Sequence, residues 1–571
     1  MSRPPHLRLE RDTSGAARRC AGLVALLLAA SLPAQPAKLS LEQQAQLRKD
    51  LDAFDRGATA AQRGPVAERV FALGPAAAKA LLVRVQPRLE RALSRYREQL
   101  QRWLPDAYER RLVALDDEQA LVVQRARRLW RDYVLHGGHR SDFQAKFLAP
   151  MEAARDLLLI QLSEVQEPPI QDARALLLEL GGYLERARAA LGVDPDPTVG
   201  KRSPTDIPYP RLDQPPTFAD LLHHTERTLV LAHTVAPPGA RPVLAYNDDA
   251  AREIDVQEAE YVLYGNEMRL LAGTIAWQVD PLGNAVARDH SDDRTKGLAK
   301  GHMSSIPEKR GFTFRSRRMG ARRFGSEGVG GGSSGRGYIH GLSYGGGHTG
   351  PLYSLKRNVV GVGRRDGAYT SIYATDDRLR HGCQALSDEL ALPPGWDRAA
   401  IKGAPRGVLS KLQSGDVGKA YRLVEKARPR TDRDAMLLRF LGAAVQAEVD
   451  HLLDGVAAIE AAGDVYEAHR RLFAARKRFA GALTFDVFGA AELERLGGDA
   501  FAAQRRAGEA FHRAAVGGLS EEARQKAARA LTARHAGTRY AAAADALARG
   551  EPFAPFVARN PAVEKFGYPP R

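Results

Sequence analysis

Cysteine is nearly absent from this chain. Its 571 residues include two cysteines, Cys20 and Cys383, and we expect the first to be removed with an N-terminal export signal. The one remaining thiol cannot form an internal disulfide, so stability must come from packing. A chain of this length can bury several hydrophobic cores.

The sequence also lacks long apolar runs. The uncharged run Ala21–Leu32 is too short to span a bilayer, and no later segment reaches the necessary length. The run follows Arg18 and Arg19 and ends in small residues, which is the layout of a secretory signal peptide with cleavage after Ala34. We therefore predict a signal peptide over residues 1–34 and a secreted or periplasmic protein, without a transmembrane segment after cleavage. An uncut N-terminal anchor is the alternative.

Acidic residues are in the minority. The chain has 84 Lys and Arg against 68 Asp and Glu, which gives a net charge of +16. Because arginine is spread along the predicted helices and interleaved with glutamate, this charge is typical of a solvated surface without a dedicated partner. The alternative is attraction to anionic envelope polymers or lipid headgroups. We expect no nucleic-acid partner, since an exported protein seldom meets one.

Residues 39–191 have the periodicity of helices. Apolar side chains recur at spacings of three and four from Leu89 to Trp103, which predicts one apolar face opposite Arg and Glu. We predict a helical bundle over this range. His136 and His139 flank two glycines. Without Cys, Asp or Glu at matching spacing, they indicate a polar turn and not a metal pair.

A proline-rich segment follows the bundle. Residues 192–217 contain seven prolines, which remove backbone donors and fix φ, so the segment is predicted to be a linker and a domain boundary. A short helix is predicted from Phe218 to His233. Its adjacent histidines, His223 and His224, point to different sides of a helix, and we expect them on the surface.

The range 407–549 is again predicted to be helical. A Gly-Asp step recurs there, with an alanine four residues after each aspartate; the steps are Gly415-Asp416, Gly463-Asp464 and Gly498-Asp499, followed by Ala420, Ala468 and Ala503. Glycine can end a helix in a left-handed residue, and aspartate can cap the next helix. The pattern resembles irregular tetratricopeptide-like packing. It favours a binding or spacing role over catalysis, because no ionisable constellation recurs.

The stretch from Asn266 to Tyr373 contains chemically capable residues in an ordered series. The series comprises Asn266-Glu267-Met268-Arg269, His290-Ser291, Gly301-His302, Gly325-Ser326-Glu327-Gly328, Gly347-His348 and Val360-Gly361-Val362-Gly363. No single fragment is specific, but the order is. It resembles the CAP superfamily, the cysteine-rich secretory, antigen 5 and pathogenesis-related group with an SCP domain, and in particular its cysteine-poor bacterial members.

This resemblance implies an α/β/α sandwich over residues 244–377. The fold class expected for the chain is therefore α+β, a CAP-like sandwich flanked by N-terminal and C-terminal all-α domains. The resemblance also implies a cleft lined by His302, Glu327 and His348. Two imidazoles and a carboxylate can hold Zn²⁺ or another divalent metal and leave one position open. If water occupied that position, Glu327 could act as an acid/base group.

The chain departs from the family pattern at several positions. Gly328 replaces the usual asparagine, and no acidic residue lies between Glu327 and Asp366, so the family's second glutamate is missing. The alternative is that His302 and His348 only line the cleft with hydrogen bonds. His290 is predicted to be a buried, hydrogen-bonding residue. Arg317 is predicted to take part in helix packing.

Three further features of this stretch have competing interpretations. Gly341-Leu342-Ser343-Tyr344-Gly345 matches a hydrolase nucleophile elbow, but the glycines that follow cannot sustain the required helix. The glycine-rich segment from Gly325 to Gly350 is either a flexible loop or a close approach of backbone to a ligand. The arginines between Arg315 and Arg323 are either an anion-attracting rim or a solvated helix face.

Three functions remain open at this stage. The first is an exported CAP-domain protein whose cleft binds a divalent metal, a small molecule or a lipid, with helical domains that engage envelope or partner surfaces. The second is a metal-dependent hydrolase acting on peptide or cell-wall material. The third is a structural helical scaffold with a degenerate CAP domain.

Overall fold

Helices make up most of the chain in the computed structural model, which describes residues 39–136, 148–192, 212–309, 315, 323–344, 352, 354, 357–376, 379, 392–393, 395–396, 398–516, 520–549 and 551. The helices in chain order are α1 (Leu41–Arg56), α2 (Ala60–Ala72), α3 (Pro75–Ala114), α4 (Asp117–His136), α5 (Ala149–Leu158), α6 (Pro168–Ala190), α7 (Phe218–His233), α8 (Arg241–Ala250), α9 (Val256–Leu271), α10 (Pro281–Thr295), α11 (Gly335–Tyr344), α12 (Gly403–Gln413), α13 (Val417–Lys426), α14 (Asp432–Ala461), α15 (Val465–Phe479), α16 (Ala490–Gly497), α17 (Ala502–Val516), α18 (Glu521–Arg534) and α19 (Arg539–Ala548). The predicted signal peptide, His139, Arg317 and His348 lie outside the described residues.

The chain divides into two compact units. The first comprises Met1–Tyr96, Glu167–Pro197 and Thr217–Ala219, and the second comprises the remaining residues. The described part of the range 39–191, which was predicted to be one helical bundle, is mostly helical, and its helices belong to both units. The predicted helix from Phe218 to His233 is confirmed with the same bounds.

The first unit packs α1, α2, the beginning of α3, and α6. Ser40 caps α1 through a capping box with Gln43. Phe54 is fully buried, and its ring meets that of Tyr183 edge to face at a centroid distance of 5.5 Å. An ion pair between Arg63 and Glu179 ties α2 to α6 at 2.5 Å.

The second unit contains a small mixed sheet together with helices, so the chain is α+β. Its strands are β1 (Gln278–Val279), β2 (Ala299–Lys300), β3 (Met303–Ser304), β4 (Arg323–Gly331), β5 (Val359–Arg365) and β6 (Ala368–Thr375). The main sheet has the order β1-β5-β6-β4. β1 pairs with β5 in parallel, and the other two pairings are antiparallel. β2 and β3 form a separate short hairpin.

Helices cover both faces of the main sheet. Alternate strand residues point to opposite faces, and residues paired across strands share a face. On one face, Gly363 of β5 lies against the backbone of Ala287 and Arg288 in α10. On the other face, Tyr369 of β6 stacks on Tyr338 of α11 with ring centroids 4.7 Å apart. The sheet is therefore the middle layer of three.

Aromatic side chains fill the layer that contains α9 and α11. The Tyr261 hydroxyl lies 2.6 Å from that of Tyr373, and the Tyr261 ring stacks parallel to Trp277 at 6.1 Å. The Ser371 hydroxyl lies 3.2 Å from that of Tyr338 and 3.0 Å from that of Tyr373. Since these rings are buried and their hydroxyls bond to each other, this face of the sheet is a solid core.

The glycine-rich segment is ordered where it is described, so its interpretation as a flexible loop is wrong there. Gly325 to Gly331 belong to β4, and Gly335 begins α11. The glycines allow these two elements to approach each other. A methyl group at Gly330 would press on the Tyr338 ring, and one at Gly328 on Leu342.

Two of the three predicted Gly-Asp steps are confirmed in the C-terminal helices. Gly415 and Gly463 have φ of 70° and 93°, and the following aspartates cap α13 and α15 by accepting from the backbone N–H three residues on. The alanine four residues after each aspartate is fully buried, at Ala420 and Ala468. Each step therefore reverses the chain between two packed helices.

The third step is different. Gly498 has φ of −66°, and Asp499 begins a short 3-10 helix instead of capping an α-helix directly. Ala503 is exposed. The Gly-Asp dipeptide alone does not determine a left-handed turn. The glycine has a positive φ in the two steps where an α-helix follows the aspartate directly, and not in the third.

Among the described residues, no helix combines the length and the apolar character that a membrane crossing requires.

Candidate functional site

The Asn-x-x-Arg element of α9 holds the sheet layer in place. Asn266 accepts from the Trp277 N–H at 2.7 Å and donates to its carbonyl at 3.0 Å. Arg269 is fully buried and donates to the carbonyls of Ile275, Leu352, Ser354 and Arg357. A buried guanidinium needs such a set of acceptors, so this motif is structural.

His302 lies at the tip of the β2–β3 hairpin. Gly301 before it has φ of 57°, a left-handed conformation that glycine adopts without strain and that produces the tight turn. The His302 side chain is 33% exposed. Its Nδ1 atom lies 2.9 Å from Oε1 of Glu327, so the hairpin delivers the imidazole to a carboxylate on β4.

Glu327 is a buried carboxylate with two charged or polar neighbours. It pairs with Ile372 in the β4–β6 register, which turns its side chain to the same face as α10. Its side chain is 0% exposed. In addition to His302, it accepts from Nη2 of Arg315 at 2.8 Å, and the second carboxylate oxygen is in an ion pair with Nε of the same guanidinium.

Arg315 is the counter-ion that the sequence did not identify. The sequence predicts a rim or a solvated helix face for the arginines of this stretch, and both predictions are wrong for Arg315 because it is buried. Its Nη2 atom also donates to the carbonyl of His302 at 2.8 Å. A buried ion pair with additional hydrogen bonds is rigid, so Arg315 fixes both the carboxylate and the hairpin.

His290 supports the hairpin from α10, as predicted for a buried, hydrogen-bonding residue. It is 3% exposed, and its Nε2 atom lies 2.9 Å from the carbonyl of Gly301, so Nε2 must donate. Nδ1 is then the acceptor, 3.4 Å from Nη1 of Arg315. Burial lowers the pKa of His290, and the positive charge of Arg315 lowers it further. His290 is therefore neutral at pH 7.

The same reasoning gives the tautomer of His302. Glu327 is paired with a guanidinium and accepts hydrogen bonds, so Nδ1 of His302 must donate to it. Nε2 is the ring nitrogen on the side away from the carboxylate. A carboxylate behind an imidazole fixes its orientation and makes the far nitrogen more basic. The site thus consists of an oriented, partly exposed histidine with a neutralised carboxylate behind it.

The three residues predicted as metal ligands are only partly brought together. His302 and Glu327 are in contact, while His348 lies outside the described residues. Within the part of the chain that the structure describes, no three His, Cys, Asp or Glu side chains form a group that could hold a metal ion. The metal and the acid/base role of Glu327 remain predictions.

The predicted surface position of the histidine pair on α7 is wrong for His224. This residue is 6% exposed, and its Nδ1 atom lies 3.6 Å from Asp248 and 3.5 Å from the Thr228 hydroxyl. The reason is that α7 is buried on nearly all sides from Leu222 to Ala232. Helical periodicity predicts a surface position only where one face of the helix is in water.

Ser343 does not lie at a nucleophile elbow, in agreement with the prediction from the sequence. Ser343 lies inside α11, is 2% exposed and donates to the carbonyl of Ile339 at 2.8 Å. An elbow requires the serine at a sharp turn between a strand and a helix. Ser343 therefore has a helical environment without access to a substrate.

A second polar cluster was missed by sequence reasoning. Glu152 of α5 accepts from the Tyr264 hydroxyl at 2.6 Å and from Arg336 at 2.8 Å. Nε2 of His340 lies 2.8 Å from both the Tyr264 hydroxyl and Glu152. Burial raises the pKa of Glu152, but these partners lower it more. The cluster ties α5 to α9 and α11, and sequence spacing could not reveal it because its members come from three elements.

Comparison with known proteins gives little further information. No protein-family model matches the chain, and no curated protein matches it. Among solved structures, the chain is similar to the 1.5 Å crystal structure of an extracellular protein containing an SCP domain from Bacillus anthracis strain Ames, at 21% identity and a TM-score of 0.20. The similarity covers 21% of this chain and 40% of that protein. A TM-score of this size does not establish a shared fold.

Proposed function

We propose that this chain is an exported CAP-domain protein that binds a divalent metal ion or a small ligand in a cleft at His302, and that its helical regions engage envelope or partner surfaces. The observation that carries the proposal is the contact of His302 with Glu327 at 2.9 Å, with Arg315 behind the carboxylate. Export rests on the N-terminal sequence pattern alone.

The arrangement around the sheet supports the CAP assignment. The motif residues come from separate segments, yet they surround one three-layer core. Ser291, which follows the histidine of α10, donates to the carbonyl of Gly363 at 2.8 Å, so the His-Ser element contacts the Val-Gly-x-Gly strand. The two strand glycines, Gly361 and Gly363, lie directly against the backbone of α10.

We assign Glu327 the role of orienting His302. Its carboxylate is buried and paired with Arg315, which suits a group that holds an imidazole in place better than one that contacts a ligand directly. Arg315 in turn neutralises the carboxylate, which allows it to be buried. The result is a histidine whose ring is held in one orientation by the carboxylate.

The surroundings of His302 support its assignment as a metal ligand. A histidine ligand commonly has a carboxylate behind it, and His302 has this arrangement. We propose His302 and His348 as the ligands of a divalent ion, with Glu327 in support. When bound, Zn²⁺ would supply Lewis-acid character to a water or a ligand group.

Metal content and ligand capture test this function. The full chain is purified with and without added Zn²⁺ and analysed by elemental analysis and by native mass spectrometry. We expect one bound ion or one retained small molecule, which is lost in His302→Ala and kept in His469→Ala, a variant of a histidine in α15. If His302→Ala retains the same species as the unchanged chain, the cleft at His302 is not the binding site.

A further inference from the structure

The turn after α15 presents an apolar surface to solvent. Leu483, Val487 and Phe488 are exposed to 62%, 52% and 64% respectively. We call these three residues the apolar tip. Most exposed apolar residues on a protein occur singly and need no explanation. Three within six positions of one turn are an exception.

A π-helical turn gathers these side chains on one face. Residues Phe485–Gly489 form a π-helix, with the N–H of Ala490 bonded to the carbonyl of Phe485. In this winding a side chain one turn away is four to five positions along the chain. Val487 and Phe488 are therefore both one turn from Leu483. Such turns are rare in proteins overall, and many of those that occur lie at functional sites.

The inner side of the same turn is anchored in the helical core. Phe485 is 3% exposed, and its ring lies 5.5 Å from that of Phe479 at the end of α15. Phe485 thus holds the turn against the core, while Phe488 in the same turn is exposed to water. The exposure of the apolar tip is therefore a property of a packed element.

A basic groove lies next to the apolar tip. Its volume is ≈ 410 Å³, and its lining includes four cationic side chains, Lys419, Arg422, Lys477 and Arg478. All four are exposed. Asp416 is the one carboxylate in the lining, and it pairs with Lys419 at 2.7 Å.

Hydrogen bonds hold two of these cations in place without neutralising them. Arg422 donates to the carbonyl of Ala480 at 2.8 Å, and Arg478 donates to that of Gly415 at 2.8 Å. Within the described residues, no carboxylate pairs with Arg422, Lys477 or Arg478. Three of the four cationic side chains in the lining therefore have no carboxylate ion pair among the described residues.

The groove and the apolar tip are parts of one surface. The guanidinium of Arg422 packs against Gly481, where a methyl group would collide with it, and Leu483 follows two residues later. Ala480 at the start of the turn lines the groove. A ligand that covered the apolar tip would thus also meet the cations.

We propose that this surface docks the protein on an anionic phospholipid bilayer, with the apolar tip inserted at the headgroup level and the basic groove on the headgroups. The proposal rests on the envelope role proposed for the helical regions, and it does not depend on the cleft at His302. Apolar side chains beside Lys and Arg are the combination that binds the membrane interface. An acidic peptide fits less well, because side chains exposed by more than half project outward and do not line a cleft.

Vesicle co-sedimentation of the full chain tests the proposal. Vesicles contain phosphatidylcholine alone or mixed with phosphatidylglycerol. We expect binding to the anionic vesicles, and a loss of about tenfold or more in the double variant Leu483→Ser/Phe488→Ser, because inserted apolar area is removed. The matched control is Val83→Ser, which changes an apolar residue that is 64% exposed on α3 and should leave binding unchanged.

The charge contribution is tested separately. Lys477→Gln should weaken binding about fivefold, whereas Lys526→Gln on α18 should not. Raising the salt from about 0.1 M to about 1 M should weaken binding without abolishing it, since insertion is not screened. In Phe488→Trp, the added fluorescence should shift to shorter wavelength with anionic vesicles.

Several outcomes would overturn the proposal. One is no binding to anionic vesicles. Another is binding that the double serine variant leaves intact and high salt abolishes, which would indicate a polyanion site, as would equal affinity for soluble polyglutamate. His302→Ala should bind vesicles like the unchanged chain, so a failure of the cleft proposal and a failure of the docking proposal can be told apart.

Discussion

At the scale of single residues, the candidate site depends on a chain of contacts that begins with a buried arginine. Arg315 neutralises Glu327, Glu327 orients His302, and His290 holds the hairpin that carries it. Each contact removes a rotational freedom from the next side chain. The partly exposed imidazole is therefore preorganised, which lowers the entropic cost of binding a ligand.

His290 gives this network a defined pH dependence. Its pKa is lowered, first by burial and then by Arg315, so below its ordinary value of about 6.5 the unfolded chain binds a proton that the folded chain does not. The contribution of His290 to the free energy of unfolding is thus fully present above about pH 6.5. It is lost as the pH falls below this value, by up to about 1.4 kcal/mol per pH unit.

The variant His290→Gln tests this dependence, because glutamine can still donate to the Gly301 carbonyl but does not titrate. Urea unfolding at pH 5 and pH 7.5 should show a smaller difference between the two conditions in this variant than in the unchanged chain. A variant of a partly exposed histidine, such as His535→Gln, is the control. Equal pH dependence in all three proteins would contradict the assignment of a neutral, buried His290.

At the scale of elements, glycine sets how closely α10 approaches β5. A methyl group at Gly363 would collide with the backbone of Arg288, which cannot move aside as a side chain can. Gly363→Ala should therefore destabilise the second unit by about 1–3 kcal/mol or more. The measurement is the urea midpoint of unfolding.

Gly341→Ala is the matched control for this prediction. Gly341 lies in α11 and has no atom within 4 Å of its added methyl group, so alanine should stabilise the helix by about 0.5–1 kcal/mol. Equal effects of the two substitutions would show that the Val-Gly-x-Gly strand does not need glycine for contact with the helix.

The Gly-Asp steps in the C-terminal helices differ in what their caps hold. Asp416 only caps α13 and pairs with Lys419. Asp464 is buried, caps α15, and also accepts from the Tyr540 hydroxyl and from His512 at 2.8 Å each. Burial raises the pKa of Asp464, and these hydrogen bonds lower it more, so it is ionised at neutral pH.

Alanine substitution should separate these two caps. Asp416→Ala should cost about 1 kcal/mol, the usual value of a lost cap. Asp464→Ala should cost about 2–4 kcal/mol, because it also leaves Tyr540 and His512 without their acceptor. Thermal unfolding of both variants measures the difference. A cost at Asp464 no larger than at Asp416 would mean that Tyr540 and His512 contribute nothing to the cap.

At the scale of the whole molecule, local signals predicted the elements better than their contacts. The helix from Phe218 to His233 and the first two Gly-Asp steps follow from periodicity and capping, which depend on a few neighbouring residues. The burial of His224 does not, because it depends on how many elements surround α7. Sequence periodicity carries no information on that number.

The same limit applies to the candidate site. The motif order predicted that His302 and Glu327 belong to one cleft, and they do lie in contact. It did not predict that Arg315 pairs with Glu327. Five arginines occur from residue 315 to residue 323, and the sequence does not show which of them is buried. Which charge is buried is decided by the strand register and the hairpin, and neither is encoded in the spacing.

Nitrogen NMR of the full chain labelled with ¹⁵N-histidine tests the central claim most directly, with His302 identified by the signal that disappears in His302→Ala. We expect a proton on Nδ1 of His302, and a change of the Nε2 signal when Zn²⁺ or a captured ligand is added. A ring that carries a proton on Nε2 and none on Nδ1 would contradict the orientation of His302 by Glu327.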